Sequence, residues 1–170
     1  MLEKLLWVDG FNVIFANKAL TELALENIQA AIQKLIEIVA EYAVANECVA
    51  TIFFDNKKSN LQVQEEEYLG VHIISGNIFQ SADNLIEKKS FQLKEQREIV
   101  LVTSDNIIKK MIVGRAGCSR LIEAKGFIKK YLEMKKVLSK KTNKAKPVKL
   151  VNILQGEVVS YLEKWRHGLA

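Results

Sequence analysis

Apolar residues along this chain fall into two spacings. Short, continuous runs stop abruptly at turn-forming or acidic residues. Leu5-Leu6-Trp7-Val8 stops at Asp9-Gly10, and Cys48 to Phe54 stops at Asp55-Asn56. Val71 to Ile74 is closed by Ser75-Gly76-Asn77, and Ile99 to Thr103 runs into Ser104-Asp105. Runs of this length with such boundaries predict buried strands. Ser119 to Ile122 predicts a further short strand.

Helical spacing occupies the segments between. Leu25, Ile28, Ile32, Leu35, Ile36, Val39 and Ala43 recur on one face, with Gln33, Lys34, Glu37 and Glu41 opposite, which predicts one long amphipathic helix. Ser81 suits the cap of a helix from Ala82 to about Gln96, with Ala82, Leu85, Ile86 and Leu93 inward. Asp105 opens another helix, with Ile107, Ile108 and Met111 apolar. From Gly126 a helix leads into the lysine-rich stretch Lys135 to Lys149, and Val151 to Trp165 predicts a last helix. The polar stretch Lys57 to Glu67 reads as loop or weak helix.

Strands thus alternate with helices, and the strands are apolar throughout rather than at every second position. That combination predicts an α/β fold, with a mostly parallel central sheet of four to five strands and helices on both faces. The chain has 170 residues, enough for one domain with an appendage. We divide it into a domain over 1–134 and a basic segment over 135–170, with a soft boundary at Ser139 to Pro147. A hydrophobic share of 49% excludes disorder throughout.

Charge sharpens this division. Residues 1–124 hold 13 Lys and Arg against 17 Asp and Glu, whereas residues 125–170 hold 12 against 3. An acidic body with a basic end fits a polyanionic partner, though a solvated basic helix has the same composition. No apolar run approaches the length of about 18 residues that a membrane span needs, and no signal-peptide pattern opens the chain. Cys48 and Cys118 lack metal-ligand spacing and read as free thiols of a cytoplasmic protein. His72 and His167 are too few and too scattered for a histidine-built zinc site.

The candidate chemistry lies at the strand ends. Three apolar runs end at a carboxylate: Asp9, Asp55 and Asp105. Open parallel sheets bind ligands beyond the carboxyl ends of their strands. Parallel strands would bring these three aspartates to one rim, and Asp83, on the first turn of a helix, would face the same rim. Carboxylates crowded in this way raise one another's pKa or bind a cation. Oxygen-only ligands suit Mg²⁺ or Mn²⁺, and a carboxylate-held cation suits hydrolysis of a phosphodiester. Taken singly, each aspartate also suits a helix cap or a turn. Asn12, Thr103 and Ser104 are placed to orient the carboxylates. A P-loop, a dinucleotide fingerprint and a nucleophile elbow are all absent.

These same residues carry a resemblance. Val8-Asp9-Gly10-Phe11-Asn12-Val13-Ile14 resembles the opening motif of the YacP-like NYN-domain family, relatives of the PIN-domain nucleases. Phe53-Phe54-Asp55, Ser81-Ala82-Asp83-Asn84-Leu85-Ile86-Glu87 and Val102-Thr103-Ser104-Asp105 are similar to its later motifs, in order. Ile112 to Arg120 is similar to its Gly- and Arg-containing stretch, and Leu162 to Gly168 to its closing segment. The resemblance covers nearly the whole chain. It implies a PIN-like three-layer sandwich and metal-dependent RNA cleavage. It also implies the family's best-known role, a ribosome-associated endoribonuclease cutting translated mRNA.

Two departures stand out. Many members have Glu three residues before the aspartate matching Asp83, where this chain has Gln80. The stretch after Asp105 is also less rich in arginine. The expected site is therefore Asp9, Asp83 and Asp105 as catalytic metal ligands, with Asp55 as a further ligand and Asn12, Gln80, Thr103 and Ser104 in support. Lys109, Lys110, Arg115 and Arg120 are the expected contacts to RNA. Lys135, Lys136, Lys140, Lys141, Lys144, Lys146 and Lys149 would add non-specific affinity. The expected partners are mRNA and the ribosome, with no membrane and no DNA. A non-catalytic RNA- or ribosome-binding module, favoured by Gln80, is one rival. A small-molecule phosphohydrolase is the other, against which Phe11 stands where haloacid-dehalogenase-like phosphatases carry their second aspartate.

Overall fold

The structure, a computed structural model, describes residues 4–55, 62–77, 79–93, 97–113 and 118–144. Six strands form one sheet: β1 (Lys4–Asp9), β2 (Cys48–Phe54), β3 (Gln64–Tyr68), β4 (Val71–Ser75), β5 (Glu98–Val102) and β6 (Cys118–Ile122). Their order is β3-β4-β2-β1-β5-β6, and all neighbours are parallel except the antiparallel pair β3 and β4. The helices are α1 (Gly10–Ala16), α2 (Lys18–Glu26), α3 (Ile28–Ala45), α4 (Ala82–Gln92), α5 (Asn106–Val113) and α6 (Ala124–Lys144). Contacts divide the chain into Met1–Met134 and Lys135–Ala170.

The continuous apolar runs are explained by burial on both sides. Alternate strand residues face opposite ways. Leu6, Val8, Ile52, Phe54, Val100 and Val102 join one core with α1, α2, α3 and the start of α6. Leu5, Trp7, Phe53, Ile74, Ile99 and Leu101 join a second core with α4 and α5. Trp7 packs edge-on against Phe53 with ring centroids 5.8 Å apart. Fully burying a side chain of this class stabilises the fold by about 1.5–3 kcal/mol.

Several expectations are corrected. The sheet has six strands rather than four to five, because Gln64–Tyr68 pairs with β4 where loop or weak helix was expected. All five of its residues are exposed, so no apolar alternation marks it. Leu69 and Gly70, both with positive φ (54° and 71°), make the two-residue hairpin. Glu65, Glu66 and Glu67 put exposed charge along this edge strand, a composition that disfavours pairing with another chain.

The expected long helix is interrupted at Asn27, whose Oδ1 accepts the N–H groups of Gln29 and Ala30 and starts α3 anew. Leu25 consequently lies on α2 and is exposed. In α5, Ile108 is buried but Ile107 points outward. The last described helix starts at Ala124, two residues before Gly126, and runs to Lys144, into the expected soft boundary Ser139 to Pro147. The helix expected over Val151 to Trp165 lies outside the described residues. Among those residues, no helix is long and apolar enough to cross a membrane.

Candidate active site

The five parallel strands finish at one edge of the sheet, and strand order reverses there at β1. β1 passes directly into α1, and Asp9 is the junction. Its Oδ1 accepts the backbone N–H of Asn12 at 3.2 Å, which caps the helix. Its Oδ2 accepts the hydroxyl of Thr103, just past β5, at 3.2 Å. Glycine must follow Asp9, because a Cβ on Gly10 would stand 2.3 Å from the ring of Phe54.

Thr103 and Asn12 extend this into a circuit. Thr103 Oγ1 also accepts the N–H of Asp105 at 3.0 Å. Asn12 Oδ1 accepts the N–H of Ser104 at 3.0 Å. Ser104 Oγ accepts the N–H of Ala124, the first residue of α6, at 3.2 Å. The ends of β1, β5 and β6 are thereby fastened together by polar groups. Asn12 supports Asp9 through its backbone, whereas its amide side chain, expected to do this, binds Ser104 instead.

Asp83 arrives from the second face. Ser81 Oγ accepts the N–H of Asn84 at 3.4 Å and caps α4, which puts Asp83 in the first turn. The preceding loop packs tightly: a Cβ on Gly76 would meet the backbone oxygen of Gln80 at 2.1 Å. Gln80 is half-buried and bridges back to Asn77. Asp55 is half-buried and follows β2.

Burial pushes Asp9 up to about 6 from 3.8; the hydrogen bonds from Asn12 and Thr103 oppose this, and the charges of Asp83 and Asp105 add to it. Burial also raises Asp83, followed by the charges of Asp105 and Asp55. Among the described residues, however, no group of three or more Asp, Glu, His or Cys side chains stands close enough to enclose a metal ion. The aspartates share an edge without closing into the tight cluster of four expected from the sequence, since Asp9 and Asp105 each direct an oxygen at the backbone of their own helix start. Oxygen donors of this kind are those that a hard divalent cation takes. Mg²⁺ usually takes one or two carboxylates and keeps several waters.

The expected cationic contacts scatter. Lys109 is largely buried and forms an ion pair with Glu123, just past β6. Lys110 is exposed on α5. Arg120 pairs in register with Val100, whose side chain belongs to the α3-side core, and its charge reaches Tyr42. It therefore lies on that face rather than at the aspartate edge. Arg115 lies outside the described residues, as do Lys146 and Lys149. Lys135, Lys136 and Lys140 are exposed along α6, and Lys141 and Lys144 belong to the same helix. Sequence reasoning missed Glu123, although Ile122-Glu123 repeats the pattern of an apolar strand ended by a carboxylate. The hydrogen bond from Lys109, with smaller help from Ser104 and from the lysine's charge, holds the Glu123 carboxyl below the usual range.

The profile of the YacP-like NYN domain matches residues 6–167. Among solved structures, Rae1 (YacP) from Bacillus subtilis is similar at 24% identity and a TM-score of 0.69, over 96% of this chain and 95% of that one. A tryptophan-to-leucine variant of the same protein is similar at 22% identity and a TM-score of 0.69, over 89% of each chain. At these identities the likeness to the two structures is one of fold. No curated protein matches the sequence.

Proposed function

This chain belongs to the YacP-like NYN-domain family, which implies a nuclease-type hydrolase, and from that premise we propose that it is a divalent-metal-dependent endoribonuclease. One observation carries the reading. Three carboxylates from three separate segments, Asp9, Asp83 and Asp105, meet at the edge where strand order reverses, where the charges of Asp83 and Asp105 add to the burial that raises Asp9. Asp9 and Asp105 each also accept an N–H at a helix start, yet like charges brought to one edge cost stability unless a cation offsets them.

In this reading Asp9, Asp83 and Asp105 hold Mg²⁺ or Mn²⁺, with Asp55 beside them. The bound cation supplies charge neutralisation for the phosphodiester and activation of the attacking water. Thr103 and the N–H of Asn12 fix the orientation of Asp9. Thr103 also fixes the start of α5, and with it Asp105. This rigidity keeps the donors in place before the substrate arrives, which is where preorganised sites gain most of their rate. Lys110 and the lysines of α6 would bind the phosphate backbone by charge, and that affinity falls steeply with salt. The substrate in this proposal is mRNA, cut in association with the ribosome in the cytoplasm. The basic residues of 125–170 support a partner built on ribosomal RNA.

The test is cleavage of a labelled single-stranded RNA, and of an mRNA on translating ribosomes, with Mn²⁺, Mg²⁺ or EDTA. Wild type should cut only with a cation, and Asp9→Asn and Asp83→Asn should not cut. Cutting that survives both substitutions would remove these residues from the site. RNA binding with no cutting on either substrate would favour the non-catalytic module and make Gln80→Glu the variant to examine.

A further inference from the structure

Two of the segments that deliver the carboxylates also carry large apolar side chains open to solvent. Phe79, in the loop between β4 and α4 and four residues before Asp83, is 73% exposed. Ile107, in the first turn of α5 and two residues after Asp105, is 67% exposed. Lone exposed apolar residues are ordinary on any surface. These two differ in their placement and in the order of their backbone. Phe79 N–H donates to Asn77 Oδ1 at 2.9 Å, and Gln80 N–H donates to the Asn77 carbonyl at 3.3 Å. The backbone oxygen of Gln80 packs over Gly76, closer than any Cβ there would permit. Ile107 N–H donates to Asp105 Oδ1 at 2.6 Å. Each side chain is thus exposed on a hydrogen-bonded backbone within four residues of one of the aspartates.

An edge lined with carboxylates repels a polyanion until a cation offsets it, so an attraction that does not depend on charge would strengthen binding there. Stacking of a nucleobase on an aromatic ring is such an attraction, and it is available only to bases that are not already paired and stacked in a duplex. We propose that Phe79 is a platform for an unpaired base next to the phosphodiester held at Asp9, Asp83 and Asp105, with Ile107 as a second apolar contact. This rests on the nuclease reading above and adds to it a basis for selecting single strands.

The test compares binding of a short RNA with that of a strand of equal length and charge built from abasic riboses. The full chain is used in the Asp83→Asn background, so that cleavage does not consume the probe. The base-bearing strand should bind about 5- to 100-fold more tightly. Phe79→Ala should bring the two affinities close together, and Phe79→Trp should restore the difference. Phe91→Ala, an exposed ring at the far end of α4, should leave the difference intact. Equal affinities for the two strands before any change at residue 79, or a difference that survives Phe79→Ala, would overturn the platform while leaving RNA binding standing. Binding of neither strand would overturn the platform and the nuclease reading together.

Discussion

Thr103 ties Asp9 to the start of α5. Its hydroxyl donates to Asp9 Oδ2 and accepts the N–H of Asp105, so one fully buried side chain serves two of the three central aspartates. β1 and β5 are adjacent in the sheet but 94 residues separate the bonded pair in sequence. The geometry of the acidic edge therefore depends on the register of the sheet as well as on local turns.

Thr103→Val tests that tie. Valine has nearly the same shape but leaves the Asp105 N–H and one Asp9 oxygen without partners. Leaving a buried polar group unsatisfied costs about 1–3 kcal/mol. Urea denaturation should show a loss of that order, and Thr103→Ser should recover most of it. The Thr103 bond holds Asp9 down, so the acid limb of the cleavage pH profile should also move to higher pH in the valine variant. A valine variant as stable as wild type would show that the hydroxyl is dispensable.

Asp9→Asn should stabilise the metal-free protein while abolishing cleavage. The folded pKa of Asp9 is about 6 against 3.8, so the folded state holds this proton more tightly than the unfolded state. Its contribution is full below about pH 4 and is lost as pH rises through about 6, a swing of about 3 kcal/mol. In EDTA at pH 7.5, wild type lacks that contribution, and the neutral amide removes the cause. The melting temperature of Asp9→Asn should exceed that of wild type at pH 7.5, with the gap closing towards pH 4. Mg²⁺ or Mn²⁺ should raise the wild-type value more than that of the variant. A variant less stable than wild type in EDTA at pH 7.5 would contradict this account.

How much of this was legible depends on the range of the forces involved. Asp9, Asp55 and Asp105 could be placed from sequence because each breaks an apolar run, and burial on both faces keeps those runs continuous. β3 left no such trace, because an edge strand with every residue exposed needs no apolar pattern. The break between α2 and α3 was hidden because the apolar spacing continues across Asn27, and only its side-chain cap reveals the interruption. The support of Asp9 by the Asn12 backbone, and the pairing of Lys109 with Glu123, depend on atoms and registers that no spacing rule encodes. Arg120 was placed by its proximity in sequence to Asp105, whereas strand parity sends it to the other face.

Gly10→Ala tests the passage from β1 into α1. The added methyl would lie 2.3 Å from the Phe54 ring, whose edge packs on Phe11 with centroids 5.1 Å apart. Overpacking of a filled core typically costs about 1–3 kcal/mol. Thermal denaturation should show a loss in that range, and cleavage should fall with it because Asp9 is the adjoining residue. Phe54→Leu should recover part of the stability lost in Gly10→Ala. If the alanine variant melts like wild type, the contact with Phe54 does not constrain this turn.

Glu123→Gln should tighten RNA binding. Lys109 stands one helical turn after Asp105, with its N–H on the Asp105 carbonyl at 3.2 Å, and its ammonium is held by Glu123. A cation so engaged is neutralised at close range and contributes little to attracting a phosphate. Glutamine keeps the size and the hydrogen-bonding oxygen but removes the charge, so the ammonium regains its field towards the substrate. If it then meets one phosphate, the slope of log affinity against log salt should steepen by about one, and affinity should rise most at low salt. Lys109→Ala should remove the effect of Glu123→Gln, because the carboxylate then has no cation to hold. Equal gains from Glu123→Gln with and without Lys109 would instead mean that Glu123 acts as one more repulsive charge at the edge, and that the lysine faces away from the RNA.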